Sequence, residues 1–308
     1  MKRVLVTGGA GFIGSAVVRN LIALNYQVAV LLREKSNTNR LINLEKNFKV
    51  IHGDLTQISN SENEIKDFSP QVTIHLAWAG VKGSDRNHVS QVMNIVASID
   101  LYKMVTSAGS MQFIGLGSQA EYGPQGGRVD ELAKTSPTTL YGIAKLSTFM
   151  LLSRMALLDN VIFSWPRLFS SYGPGDNLSW LLPGLIAKLL DGKRPALTSC
   201  EQLWDYIYVD DVASAIIALL ENKASGPFNL GSGEANKLLD IVSDVRDRID
   251  PSLSLGIGEI PYRPDQVMHL EADITAIRKA TGWSPLTTLD AGLEKTIEFY
   301  RNERISNG

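Results

Sequence analysis

Short apolar runs recur through the first half of the chain, and stretches with helical spacing separate them. Strands of a parallel sheet are covered on both faces, so they lack the polar alternation of half-exposed strands. Most of these runs lack it too. The pattern predicts an α/β fold with a doubly wound parallel sheet, with strands at 3–7, 27–32, 49–52, 71–77, 112–116 and 160–164.

Two stretches repeat apolar or small residues every three or four positions, which predicts helices that turn one face to the sheet. We expect core packing to account for most of both stripes. The first stripe comprises Val89, Val92, Met93, Val96 and Ile99, and the second comprises Tyr141, Ala144, Lys145, Thr148, Leu151 and Leu152.

The composition changes at about residue 166, where prolines and glycines begin to interrupt the sequence. A length of 308 residues allows one large domain or two smaller ones. We therefore predict a first domain over 1–166, to which about 207–222 returns, and a smaller second α/β domain over 167–206 and 223–308.

Glycines follow the first strand at the spacing Gly8, Gly11 and Gly14. Gly8 allows a tight turn, Gly11 leaves room where phosphates would approach, and Gly14 lets the following helix pack closely on the strand. Such a turn points backbone amides at a pyrophosphate, although it also occurs as an ordinary strand–helix connection. The predicted dinucleotide contacts here are Gly8, Gly11, Phe12, Ile13 and Gly14.

Tyr141 and Lys145 stand four residues apart, on one face of the second predicted helix. An ammonium beside a phenol favours the phenolate, which makes tyrosine a usable proton donor and acceptor closer to neutral pH. Ser118 stands at the end of an apolar strand, where a serine is also common as a simple turn residue.

Together with the glycine turn, Ser118, Tyr141 and Lys145 resemble the catalytic set of the short-chain dehydrogenase/reductase superfamily. The run Ser-Gln-Ala-Glu-Tyr-Gly at 118–123 resembles the extended branch, the NAD(P)-dependent epimerase/dehydratase family, which works on nucleotide sugars. This resemblance spans nearly the whole chain. It implies a Rossmann-type first domain, a nucleotide-sugar site in the second domain, and a homodimer built on the two predicted helices.

The resemblance also implies roles for single residues. Asn94 corresponds to a helix asparagine of the catalytic proton relay. The implied cofactor contacts outside the glycine turn are Asp54 and Leu55 near the adenine, Leu76 and Ala77 at a strand end, Tyr141, Lys145 and Arg167.

The end of the second strand bears on the choice between NADP(H) and NAD(H). An acidic residue there normally binds the ribose diol and repels a 2′-phosphate, but this chain has Leu32 followed by Arg33. A guanidinium can pair with a phosphate, and Lys35 or Arg40 could add charge. Alternatively, Arg33 is a solvated loop charge, and the neighbouring Glu34 weakens the argument that Arg33 binds a 2′-phosphate. We favour NADP(H), with NAD(H) possible.

The turn after Ser118 bears on the reaction. Family 4,6-dehydratases place an Asp-Glu pair there, because eliminating water requires an acid and a base. This chain has Gln119-Ala120, and we expect Glu121 to point elsewhere. A reductase or a C4 epimerase remains, and an exchangeable NADPH favours the reductase. The chain looks most like bacterial 4-keto-6-deoxyhexose reductases, of the CDP-abequose and dTDP-fucose synthase kind, which make deoxysugars for O-antigen.

Departures from the family pattern affect the predicted sugar contacts. Ser170 replaces an asparagine that contacts the nucleotide diphosphate, and Trp204 replaces a common arginine. Arg263 is then the best candidate for the pyrophosphate, and Trp204 is either a stacking surface or a packing residue. The predicted substrate contacts are Ser118, Gln119, Ser170, Trp204 and Arg263.

The composition of the chain argues against several kinds of partner and site. With 30 basic and 32 acidic residues, no charge excess suggests nucleic acid or membrane as a partner. One cysteine cannot form an internal disulfide, and the four histidines lack metal-ligand spacing, so we expect a cytoplasmic enzyme without a metal. A non-catalytic nucleotide sensor is the alternative, but a sensor has no need of a proton donor such as Tyr141.

Overall fold

A parallel sheet of eight strands forms the centre of the computed structural model, which describes residues 2–262 and 266–307. The strands are β1 (Arg3–Thr7), β2 (Gln27–Leu32), β3 (Phe48–His52), β4 (Val72–His75), β5 (Gln112–Gly115), β6 (Gly117–Ser118), β7 (Gly126–Val129), β8 (Ile162–Leu168), β9 (Ser170–Tyr172), β10 (Leu203–Trp204), β11 (Tyr206–Tyr208), β12 (Gly226–Leu230), β13 (Asn236–Lys237) and β14 (His269–Ala272). The α-helices are α1 (Phe12–Ala23), α2 (Glu62–Phe68), α3 (Gln91–Ser107), α4 (Leu140–Asp159), α5 (Leu181–Leu190), α6 (Val209–Glu221), α7 (Leu238–Ile249), α8 (Thr275–Thr281) and α9 (Leu289–Asn307).

The central sheet has the order β12-β8-β5-β4-β1-β2-β3, with β6 pairing to β8, and every pair is parallel. Side chains alternate between its two faces. On β1, Val4 and Val6 belong to the core that holds α1 and α6, whereas Leu5 belongs to the core that holds α3 and α4. All three are fully buried. The predicted doubly wound parallel sheet is confirmed.

The boundary between the two regions differs from the predicted one. Helix α6 packs against α1 in the first region, and β12 then pairs with β8 as the edge strand of the central sheet. The chain therefore returns to the first region as far as residue 230, so the range 223–308 assigned to the second domain begins too early.

The second region is built on smaller sheets. One has the order β13-β10-β14-β7, and the other pairs β11 with β9. A separate apolar core joins α5, α7 and α9, with Leu185, Ile241 and Ile297 at 3% exposure or less.

The second predicted helical stripe is buried except for Leu151, but the predicted packing of the first stripe is wrong in part. In α3 the side chains of Val92, Met93 and Val96 are 54%, 52% and 46% exposed, and the face that packs inward carries Leu101 and Val105 instead. Exposed apolar residues also line α4, where Met150 is 61% exposed. The homodimer stays a prediction, and these two uncovered faces are what supports it. Within the described residues, no helix has the length and apolarity needed to cross a membrane.

Candidate active site

The candidate site lies at the carboxyl ends of the strands, where the order of the central sheet reverses. The chain runs outward in one direction from β1 through β2 and β3, and in the other from β4 through β5 and β8. In open α/β sheets this reversal opens a crevice in which ligands bind. The glycine turn follows β1 and Ser118 ends β6 at this edge, and the first turn of α4 packs against the turn after β6.

The glycine turn has the features of a pyrophosphate cradle. Gly11 is the residue before the first turn of α1, which has no side-chain cap and no acidic residue. The amides at this helix end are therefore available to an anion, and the helix dipole favours negative charge. Gly14 is needed for close approach, because a Cβ there would overlap the carbonyl group of Gly8. The residues present fit a dinucleotide phosphate.

A buried hydrogen-bonded chain fixes the floor of the crevice. The Thr7 hydroxyl lies 2.7 Å from His75 Nδ1, and His75 Nε2 lies 3.0 Å from Ser98 Oγ. Ser98 donates its own proton to the Asn94 carbonyl, so His75 must donate from Nε2 and accept at Nδ1. Burial and the charge of Lys145 lower the pKa of His75 to about 3. His75 is therefore a neutral structural residue.

The structure brings Ser118 and Tyr141 together. Both are 8% exposed, and the Ser118 hydroxyl lies close enough to the Tyr141 phenol to lower the pKa of Tyr141, against the larger effect of burial, which raises it. The first turn of α4 is capped by Thr139 and contacts the turn after β6 directly. Gly142 permits this contact, since a Cβ there would overlap the Ala120 carbonyl oxygen. The Ser118 and Tyr141 hydroxyls could therefore both hydrogen-bond to one substrate oxygen, at a place that is almost shielded from solvent.

The Lys145 ammonium lies near the Tyr141 ring but contacts other groups more closely. It donates to the Leu116 carbonyl at 2.6 Å and lies 3.7 Å from the ring centre of Trp78, but 5.9 Å from the ring centre of Tyr141. Burial lowers the pKa of Lys145 to about 7, against the opposing charge of Glu121. Its predicted contact with a nicotinamide ribose stays a prediction.

The segment after β4 contains residues that sequence reasoning missed. Trp78 covers Lys145, and its indole donates to Gln91 at 2.9 Å. Gln91 is buried and donates to the carbonyls of Gly80 and Asp85 at 2.7 and 3.0 Å. Trp78 directly follows the predicted contacts Leu76 and Ala77 in sequence. This position next to predicted cofactor contacts could have identified Trp78, whereas no local sequence pattern identifies Gln91.

Asn94 joins the same segment through its side-chain amide. It accepts from the Ala79 amide at 3.0 Å and donates to the Ala79 carbonyl at 3.0 Å. The structure thus places it beneath the loop that follows Ala77. Its part in a proton relay stays a prediction.

A buried network fixes Ser118 from behind. Glu121 is fully buried, and its carboxylate accepts from the Ser118 amide and the Trp165 indole at 2.9 Å each and from Arg167 Nε at 2.7 Å. Arg167 also donates to the Tyr122 hydroxyl at 3.0 Å. The Arg167 side chain is 3% exposed and held by these bonds inside the protein, and its predicted cofactor contact stays a prediction. Glu121 points away from the crevice, as the sequence predicts.

The end of β2 shows the predicted absence of an acid. Leu32 is 6% exposed and Arg33 projects into solvent. The charge of Arg33 and hydrogen bonds from Thr56, the larger effect, lower the pKa of nearby Asp54. Asp54 caps the turn that begins at Leu55. Arg40 does not add to this group, since it donates to the Gly175 carbonyl at 2.6 Å.

Two predicted substrate contacts, Trp204 and Ser170, are hydrogen-bonded to each other. The Trp204 indole donates to Ser170 Oγ at 2.8 Å, and both side chains are partly exposed. Gln119 is also partly exposed, on the turn after Ser118. Arg263 lies outside the described residues. Among the residues in 2–262 and 266–307, no group of three or more His, Cys, Asp or Glu side chains could hold a metal ion.

Comparison with known proteins agrees with this geometry. The model of the NAD dependent epimerase/dehydratase family matches residues 4–231. The chain is 26% identical to the dTDP-glucose 4,6-dehydratase of Salmonella typhimurium, over 97% of this chain and 92% of that protein. It also resembles two solved UDP-glucose 4-epimerases. One, from Thermotoga maritima with UDP-glucose, has a TM-score of 0.86 and 27% identity, covering 98% of this chain and 99% of that one. The other, from Thermus thermophilus with NAD, has a TM-score of 0.84 and 25% identity, covering 97% and 99%.

Proposed function

The chain belongs to the NAD dependent epimerase/dehydratase family, and we propose on this premise that it reduces the C4 ketone of a nucleotide-activated 4-keto-6-deoxyhexose. The observation that carries the proposal is the pairing of the buried Ser118 and Tyr141, with Lys145 near the Tyr141 ring and β6 in the same sheet as the strand before the glycine turn. Such a pair serves a hydroxyl–carbonyl interconversion, because both groups can hydrogen-bond to the reacting oxygen.

A dehydratase is disfavoured, although several of the curated relatives carry that name. Eliminating water from a hexose requires an acid and a base beside the sugar. The positions after Ser118 hold an amide, Gln119, and an apolar residue, Ala120. The next residue, Glu121, is the nearest carboxylate along the chain, and it is fully buried against Arg167. We therefore propose a single hydride transfer without elimination.

The residues act as follows in the proposed reduction. Ser118 Oγ and the Tyr141 hydroxyl bind the ketone oxygen, and Tyr141 delivers the proton that this oxygen takes up. Glu121 holds the Ser118 backbone from behind, so that the hydroxyl keeps its position. A bound NADPH would supply the hydride. Gly8, Gly11 and the first amides of α1 would hold its pyrophosphate, and Lys145 would hold its ribose.

A C4 epimerase is the second candidate, and the likeness to the solved UDP-glucose 4-epimerases supports it. An epimerase uses the same acid and base but keeps its cofactor bound and recycles it. Leu32 and Arg33 at the end of β2 support the reductase instead, since they favour the phosphorylated cofactor that reductases exchange.

The test is to incubate the purified protein with NADPH or NADH and a panel of CDP- and dTDP-linked 4-keto-6-deoxyhexoses, with the Tyr141→Phe variant as control. We expect one equivalent of reduced cofactor to be oxidised per sugar. NMR should show that the C4 ketone of the 6-deoxy sugar has become a hydroxyl group. Inversion of a 4-hydroxy sugar nucleotide at C4 without net cofactor change would establish the epimerase. A 4-keto-6-deoxy product from an unmodified hexose would show that elimination occurs, against our assignment.

Arg33 is expected to select the cofactor. The unaltered protein should bind NADPH more tightly than NADH, and Arg33→Ala should reduce that ratio by about tenfold, the effect of losing one charge-assisted phosphate contact. Fluorescence titration of both cofactors measures the ratio. Lys49→Ala is the matched control, because it removes an exposed positive charge from β3. Equal affinities for the two cofactors in the unaltered protein would show that Arg33 is only a loop charge.

A further inference from the structure

Arg86 lies over the ring of Tyr141. Its guanidinium carbon is 4.5 Å from the ring centre, closer than the Lys145 ammonium at 5.9 Å. The side chain comes from the short helical turn Gly83–Asn87, in the segment between β4 and α3. A guanidinium within about 6 Å of an aromatic face is attracted to it. This cation therefore packs over the Tyr141 ring, which Trp78 also contacts.

The segment that carries Arg86 is held at both ends. Gln91 binds the carbonyls of Gly80 and Asp85, as described above. Asn87 accepts from the Leu140 amide at 3.1 Å, which ties the turn directly to the residue before Tyr141. The backbone that carries the Arg86 side chain is thus held by hydrogen bonds on either side of it.

The charges around the Tyr141 phenol come from three elements. Arg86 stands on the loop before α3, Glu121 on the turn after β6, and Lys145 one helical turn further along α4. Lys145 is engaged with the Leu116 carbonyl and the Trp78 ring. Arginine stays protonated throughout the physiological range, whereas burial lowers the pKa of Lys145 to about 7.

We propose that Arg86 is a positioning residue for the proton donor: its guanidinium, stacked on the ring, holds Tyr141 against Ser118 and stabilises the phenolate. This inference rests on the acid–base role proposed for Tyr141. Burial raises the pKa of Tyr141, the hydrogen bond from Ser118 and the charge of Arg86 lower it, and Glu121 raises it. The lowering of the Tyr141 pKa by Arg86 agrees with the position of its guanidinium over the ring.

The test measures the phenol directly, without substrate. Replacing Tyr141 with 3,5-difluorotyrosine gives one ¹⁹F resonance and a more acidic phenol, so that its titration falls where the protein stays folded. Arg86→Met should move the titration midpoint to higher pH. Arg86→Lys keeps the charge and should largely restore the midpoint. Lys82→Met is the matched control, because Lys82 is on the same segment but faces the Trp180 ring at 5.8 Å.

A second measurement uses turnover with natural Tyr141. In the alcohol-oxidising direction the phenolate is the active form, so a raised pKa moves the rising limb of the pH profile to higher pH. Arg86→Met should then lower that rate about tenfold at neutral pH, the effect of one pKa unit, at the low end for an adjacent charge. Arg86→Lys should recover most of it.

The two measurements separate this inference from the proposed function. A midpoint that does not change in Arg86→Met, or that changes equally in Lys82→Met, overturns the role of Arg86. If the midpoint shifts as expected but no sugar nucleotide is turned over by any variant, the electrostatic role holds and the proposed reaction fails. If sugar is turned over and the pH profile of Arg86→Met matches the unaltered enzyme, the role of Arg86 is overturned.

Discussion

Tyr141→Phe is expected to reduce turnover by roughly 100-fold or more, which is the usual scale for losing a positioned general acid. The ring stays, so the packing against Trp78 at 6.3 Å and the stacking of Arg86 at 4.5 Å should persist. Folding and cofactor binding should therefore be close to those of the unaltered protein. Rates are measured with a 4-keto-6-deoxy sugar nucleotide at saturating NADPH, and cofactor affinity by fluorescence titration.

Tyr26→Phe is the matched control for this variant. It removes the same hydroxyl from a partly exposed tyrosine whose partner is Glu221, on α6. Its turnover should equal that of the unaltered enzyme. Near-normal turnover in Tyr141→Phe would remove Tyr141 from the mechanism, and Ser118 would then be the remaining candidate for the group that binds the reacting oxygen.

Most of the central sheet is predictable because its strands are short and mostly apolar, and because inner strands such as β4 and β5 are buried on both faces. The last predicted strand shows the limit. It was expected to end at residue 164, but β8 continues to Leu168 through Pro166 and Arg167. A proline and a charge argue against a strand locally. The strand continues because Glu121, 46 residues away along the chain, neutralises Arg167 inside the protein.

Strand β12 was missed for a related reason. Its sequence, Gly-Pro-Phe-Asn-Leu, has the composition of a loop. The strand forms because Phe228 and Leu230 enter the core with α6 and β8, while Asn229 bonds to Tyr122. These partners lie far apart in sequence, so no local pattern could reveal them.

The sequence predicts which residues form the site better than it predicts where the charges around them lie. Spacing along α4 and the resemblance of the run at 118–123 correctly bring Ser118 to Tyr141. The direction of the Lys145 side chain depends on Trp78 and on the Leu116 carbonyl, which belong to other elements. The position of Arg86 depends on how a loop folds back over α4. Local periodicity carries neither kind of information.

Glu121→Ala is expected to lower the free energy of unfolding by about 3–5 kcal/mol, because it leaves the Arg167 guanidinium buried without its partner. Arg167→Met should also be destabilising, because it leaves the Glu121 carboxylate buried without its partner. The double variant Glu121→Met/Arg167→Met should lose less than the sum, since an apolar pair can replace a buried ion pair at little cost. Urea denaturation followed by circular dichroism measures all three. Glu62→Ala is the control, because its pair with Lys66 is half-exposed and contributes about 0.5 kcal/mol or less.

The same substitution tests whether the network acts on the reaction as well as on the fold. Glu121 accepts from the Ser118 amide at 2.9 Å, so its loss should shift the strand end that presents the Ser118 hydroxyl to Tyr141. Turnover should therefore fall under conditions in which Glu121→Ala is still fully folded, while Glu62→Ala keeps its rate. An unfolding free energy within about 1 kcal/mol of the unaltered protein would contradict the buried-charge argument. Lost stability with unchanged turnover would show that the ion pair supports the fold alone, and that Ser118 is held by its strand and by the turn that follows it.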